Sequence, residues 1–165
     1  MQSARLVAAV IELGSLGRSN AFLVPPHLTT QTEMTMTDTA NITVVRRFYG
    51  NLGSPEILTQ MLSPTIRWEI VPGFPYGGVY QGVNAVFQDF FGRVLQDFEE
   101  WRTEMSELFD AGDRVIALGT YSGRAKATGK TFAARFAHLW TLDGGVLVRL
   151  QQCADTAQLV RALEK

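Results

Sequence analysis

From residue 37 onward the chain changes its hydrophobic period twice. Ile42, Val45, Phe48, Tyr49 and Leu52 fall at helical spacing, behind Thr37, Asp38 or Thr39 as a cap and before Gly53 as a stop. Ser54, Pro55 and Glu56 supply a cap, a first-turn proline and a first-turn acid for a second, short helix. Its inward residues are Ile57, Leu58, Met61 and Leu62, and Ser63-Pro64 ends it. "TIRWEIV" alternates as a strand, and "PGFPYGG" breaks into a loop or short edge segment. Val83, Val86, Phe87, Phe90, Phe91, Val94 and Leu95 then keep the i, i+3, i+4, i+7 rule, the strongest helical signal in the chain.

After Glu99 the period becomes two. The turns "DAGD", "KATGK" and "DGG" separate β-like segments at about 99–109, 114–125, 131–142 and 146–153, which predict an antiparallel meander. Asp155 or Thr156 caps a last short helix carrying Ala157, Leu159, Val160 and Leu163. Helices first and a long sheet afterwards is an α+β order. A curved antiparallel sheet covered by three N-terminal helices plus a short C-terminal helix encloses a cone, a single domain over residues 37–165. In "FAHLWTL" both strand faces are apolar, Phe136, Trp140 and Leu142 on one and Ala137 and Leu139 on the other, so a homodimer through the outer sheet face is expected.

Composition narrows the function classes. Fifteen basic against sixteen acidic residues, with no basic stripe, give no electrostatic footprint for nucleic acid or an anionic membrane surface. No apolar run reaches the ~18 residues of a spanning helix. The single cysteine, Cys153, excludes an intrachain disulfide and a cysteine metal cluster, and its strand position suggests a small buried hydrophobe. A cytoplasmic protein is expected. Residues 1–36 hold a short apolar run, then "VPPHLTTQTEMTMTDT"; they read as a mobile extension or an upstream start, and are set aside from the fold.

Some motifs are excluded by their setting. "GRAKATGK" lacks phosphate-loop spacing and lies between two strands. Strict alternation puts Glu104 and Glu107 on opposite strand faces, so they make no carboxylate pair. A metal role for His138 is not expected, because the only other histidine, His27, lies in the extension.

The segments "VVRRFYGNL", "SPTIRWEIVPG", "YQGVNAVFQDFFG", "DRVIALGTYSGRAKATGK" and "FAHLWTLDGGVLVRLQQCADT" together resemble the nuclear transport factor 2-like superfamily, in its SnoaL-like and ketosteroid isomerase-like branch. The resemblance spans about residues 41–160 and implies the cone-shaped α+β barrel. It also implies a small-molecule acid–base enzyme, an isomerase or polyketide cyclase, working without metal or organic cofactor on a hydrophobic carbonyl compound. The isomerases' carboxylate base falls on Glu69 and their second acid on His138, if the final hairpin is one residue shorter here. Their helical tyrosine falls on Phe48, with Tyr49 about 100° around the helix. Ketosteroid isomerase, in which a carboxylate base faces an oxyanion hole of tyrosine and protonated aspartate, sets the pattern for these roles.

On this reading Glu69, its pKa raised by an apolar pocket, takes a proton from carbon beside a carbonyl, and His138 hydrogen-bonds the developing oxyanion. Against it stands an ordinary solvated glutamate beside Arg67. Trp68 competes with Glu69 for the inward direction, because neighbours on a strand face opposite ways. Phe87, Phe136 and Trp140 are expected as cavity walls, Tyr76 and Tyr80 as its rim, and Tyr121 and Gln152 as polar contacts to a ligand. The alternative is a dimeric ligand-binding or interaction protein without turnover; an epoxide hydrolase ranks below both.

Overall fold

The computed structural model describes residues 39–165; the expectations for residues 1–36, His27 included, lie outside them. Helix α1 (Ala40–Gly50) starts at Thr39, whose hydroxyl accepts from the Ile42 N–H at 3.4 Å, and it buries Ile42, Val45 and Phe48. Helix α2 (Pro55–Met61) has the expected proline and Glu56 in its first turn, but Ser54 makes no side-chain cap. Strand β1 (Leu62–Ile70) follows without a break. Ser63-Pro64 therefore lies inside this strand. Its register slips between Leu62 and Arg67, and the irregularity accommodates a proline with no N–H to give to a ladder.

"GVYQ" forms a short edge strand, β2 (Gly78–Gln81), antiparallel to β1. The strong apolar run is helical but not α-helical throughout. It opens as a π-helical segment, α3 (Ala85–Phe91), and continues as α4 (Gly92–Asp97). The widened turn is one of the features found at functional sites, and here it brings Phe87, Phe90 and Phe91 to the same cavity wall.

Four long strands complete the sheet: β3 (Phe98–Asp110), β4 (Arg114–Ala125), β5 (Thr131–Asp143) and β6 (Val146–Ala154). They make the expected antiparallel meander. At the β5–β6 turn Gly144 and Gly145 take φ of 54° and 81°, the left-handed pair that a tight hairpin needs. The sheet order is β2-β1-β6-β5-β4-β3, with β1 running parallel to β6, so the first strand closes onto the last. The sheet is curved and unclosed, and the helices cover its concave side. Helix α5 (Thr156–Leu163) buries Leu159 and Ala162, with Asp155 at its start making no side-chain cap.

A bulge between Met105 and Glu107 changes which residues share a face. Glu104 pairs with Thr120 and Glu107 with Leu118, both outward positions of β4, so the two glutamates share the outer face. Along β5 the alternation is unbroken: Phe132, Ala134, Phe136, His138, Trp140 and Leu142 are buried, while Ala137 and Leu139 are half-buried on the outer side. Cys153 lies on that outer side and is exposed, correcting the buried position its strand context suggested.

Candidate functional site

Between the concave sheet and the helices lies a cavity of about 380 Å³, within the range of small-ligand sites. Trp68, Phe87, Tyr121, His138 and Trp140, all singled out by sequence, line it. Phe48, Tyr49, Phe74, Phe90, Phe91 and Trp101 complete an aromatic wall. Exposed Arg102 and Glu104 mark where the wall reaches solvent.

Glu69 is not among these residues. Trp68 and Glu69 face opposite ways, and the sheet gives the inward direction to Trp68, which is 4% exposed. The Glu69 carboxylate stays outside, held by Arg149 Nε at 2.6 Å and Arg67 Nε at 2.7 Å. The Arg149 hydrogen bond is the main cause that keeps its pKa below the ordinary value, the opposite of the rise expected for a buried base. As a base inside the cavity, Glu69 is overturned. The reason is strand parity: β1 puts the larger apolar ring on the concave side, and two exposed arginines stabilise the carboxylate on the convex one.

Tyr76 and Tyr80 do not line the cavity either. The Tyr76 hydroxyl donates to Asp97 and its ring lies 3.9 Å beneath the Arg93 guanidinium; Tyr80 donates to the Tyr76 carbonyl at 2.6 Å. Their glycine-broken segment folds back on α4 instead of opening as a rim. Phe136 stands behind the wall, stacked on His138 with centroids 4.2 Å apart and on Tyr121 at 4.5 Å. It lies over Gly119, where a Cβ would collide with the Phe136 ring and the Glu104 carbonyl. Gln152 is buried outside the cavity lining, its Oε1 accepting from the Val71 N–H at 3.2 Å.

His138 is 5% exposed and both of its ring nitrogens are engaged. Nδ1 meets the Tyr49 hydroxyl at 2.6 Å, and Nε2 meets the Tyr121 hydroxyl. Trp140 donates its indole N–H to the Tyr49 oxygen at 3.0 Å. The Gln152 side chain adds a contact to Tyr121 that favours its phenolate form. Burial lowers the His138 pKa from 6.5 to about 3, so at neutral pH the ring is uncharged. Burial also raises the pKa of both phenols, Tyr49 well above its ordinary value.

A direct bond from His138 to a ligand oxygen, as the sequence leads one to expect, is therefore pre-empted by the two tyrosines. Tyr49 holds no role in the pattern of the isomerases. With a 100° offset between them on α1, Phe48 fills the core while Tyr49 reaches His138. Spacing carried one usable signal: Tyr49 belongs to the same apolar stripe as Ile42, Val45 and Phe48. One further polar group is unmatched in this wall. The Trp68 indole N–H is buried and has no acceptor among the described residues.

The model of the SnoaL-like domain family matches residues 45–150. Among solved structures, an NTF2-like protein from Burkholderia thailandensis E264 is 30% identical, with a TM-score of 0.72 over 78% of this chain and 100% of that one. TerC, co-crystallised with polyporic acid, is 23% identical with a TM-score of 0.69 over 77% of this chain and 100% of its own. A protein with a ketosteroid isomerase-like fold from Catenulispora acidiphila DSM 44928, in complex with trimethylamine, is 17% identical with a TM-score of 0.61 over 76% and 93%. A sequence comparison with curated proteins finds no match.

Proposed function

The chain belongs to the SnoaL-like domain family, and on that premise we propose that it takes a small hydrophobic carbonyl compound into the cone and hydrogen-bonds its oxygen. The observation that carries this reading is the surplus of donors in an apolar wall. Trp68 N–H has no acceptor among the described residues, and the hydroxyls around neutral His138 hold more hydrogens than they have acceptors for. A buried unmatched donor costs about 1–3 kcal/mol, which an incoming carbonyl oxygen recovers. A ligand cation cannot accept from these donors, and a ligand hydroxyl that accepts brings a hydrogen of its own into a wall already in surplus of donors.

On this reading the protein is an acid–base enzyme of isomerase or cyclase type. Donors fixed in a low-dielectric cavity stabilise negative charge on the carbonyl oxygen as the neighbouring C–H proton leaves to water at the open side. Such a donor is typically worth about 10²–10³ in rate. That TerC, which shares this fold, was co-crystallised with polyporic acid supports a small-molecule ligand. A second reading, a binding protein without turnover, is favoured by one observation: the only acidic residue among the described lining residues is the exposed Glu104, which stands on an outer-face position of β3.

Proton–deuterium exchange separates the two. The compound that copurifies with the protein is identified by mass and incubated in D2O with wild type, Tyr49→Phe and Glu69→Gln. The enzyme reading expects exchange that falls at least about tenfold in Tyr49→Phe and is unchanged in Glu69→Gln. Binding without exchange in any of the proteins leaves the non-catalytic reading. The proposal includes a dimer through the convex sheet face, where Phe109, Ile116, Leu118 and Leu139 present apolar surface; light scattering that gives a monomer mass at all concentrations removes it. A cytoplasmic location is part of the same reading, supported by the exposed free thiol of Cys153.

A further inference from the structure

The hydrogen bonds around His138 can be counted. Trp140, Tyr49, neutral His138 and Tyr121 carry one N–H or O–H hydrogen each, four in all, and form a chain of three links. One hydrogen is left over. It must sit on a tyrosine, because the Trp140 N–H is already given to Tyr49 and the histidine N–H lies between two phenols. If Nε2 carries the ring proton, Tyr49 donates to Nδ1 and the spare hydroxyl hydrogen belongs to Tyr121. If Nδ1 carries it, Tyr121 donates to Nε2 and the spare hydrogen belongs to Tyr49.

Two features decide between these arrangements. Tyr121 is 6% exposed and closed in by Phe136, Trp101 and Phe74, so a spare hydrogen there is a buried donor without an acceptor. Tyr49 is only half-buried. The Gln152 amide is also oriented: Val71 N–H fixes its oxygen, which leaves the nitrogen, without a hydrogen-bond partner among the described residues, as the atom on the Tyr121 side. A Tyr121 that donates to His138 keeps its own oxygen toward that nitrogen, whereas a spare Tyr121 hydrogen would face a second donor.

We propose that His138 is held as the Nδ1–H tautomer between its two tyrosines, so that the Tyr49 hydroxyl is the donor offered to the cavity while its own oxygen is filled by Trp140 and His138. A site with a donor and no free acceptor selects a ketone over the corresponding alcohol. The opposite tautomer is not reached by proton moves within the chain alone, because passing one proton from Tyr121 to Nε2 and one from Nδ1 to Tyr49 would leave Tyr49 with two hydrogens and Tyr121 with none. The proposal rests on the carbonyl-binding reading for its ligand class, but not for the tautomer itself.

The test therefore has two arms. Nitrogen-15 NMR of the full chain in a His27→Gln background, labelled at histidine, is expected to give a pyrrole-type Nδ1 and a pyridine-type Nε2 for His138 without added ligand. The reverse assignment overturns the tautomer whatever the cavity binds. In the second arm, 1-tetralone and 1-tetralol are titrated against wild type and Tyr49→Phe. The ketone is expected to bind about tenfold more tightly to wild type, with the preference lost in the variant. Equal binding of both probes to wild type overturns Tyr49 as the selective donor. Failure of both probes to bind counts against the carbonyl reading and leaves the tautomer to be decided by the first arm.

Discussion

The two faces of this sheet treat ionisable groups in opposite ways. On the concave side His138, surrounded by aromatic rings and bonded only to neutral hydroxyls, gives up its charge. On the convex side Glu69, bonded to two arginines, keeps its charge and is lowered further from protonation. The positions lie on strands joined through β6, where Gln152 pairs with His138 and Gln151 with Glu69. A single residue step along β6 thus separates a dry polar network from a solvated ion triad. Desolvation without a countercharge favours the neutral form, whereas a partner at hydrogen-bond distance in partial solvent favours the charged one.

The largest test of this contrast is acid. His138 has a folded pKa of about 3, below its unfolded value near 6.5. Between those values the unfolded chain binds the extra proton, so the contribution is fully present above pH 6.5 and lost as pH falls. Roughly 3 kcal/mol is expected to go by about pH 4.5, and about 4 kcal/mol by about pH 3. Urea melts of wild type and His138→Leu across this range measure it as the difference in slope. A His138 ring that titrates at its ordinary, unperturbed pH in NMR removes the concave half of the comparison.

A smaller effect is expected at Gly119, on the support of the concave wall. Gly119→Ala drives a methyl into the Phe136 ring and the Glu104 carbonyl, which costs about 1–3 kcal/mol and displaces the ring stacked beneath His138. Its signature is a changed Tyr49–His138–Tyr121 network: the His138 NMR signals should move in a variant that stays folded. Wild-type stability and unchanged signals would show that Phe136 does not support the histidine.

The smallest effect is expected outside. Glu69→Gln breaks an ion triad that is 21–49% exposed, so its cost should stay within about 1 kcal/mol and shrink in salt. Any ligand affinity should be unchanged, since the side chain does not reach the cavity. A large loss of affinity in Glu69→Gln would overturn the separation of the faces.

Most of the architecture is legible in the pattern of the chain. The four meander strands lie within a residue or two of their alternation, because turns rich in glycine and aspartate punctuate a clean period of two. Helix α1 begins at one of three offered caps for the same local reason. The π-helical opening of α3 and the bulge beside Ser106 are not legible, since one inserted residue in a helix or strand leaves no mark on composition. The family resemblance located His138 correctly inside the cone, but it could not say what would meet its nitrogens.

What the sequence by itself determined is the α+β order, the inward side of β5 and the aromatic character of the enclosed space, all consequences of periodicities read along whole elements. Only the tertiary structure decided the direction of single side chains at the site. Glu69 turns outward because Trp68 takes the concave position beside it. Tyr49 becomes a partner of His138 because α1 packs with the Tyr49 hydroxyl at Nδ1 and the Phe48 ring against Trp140. These outcomes depend on contacts between residues 80 to 91 positions apart, and local patterning contains no information at that range.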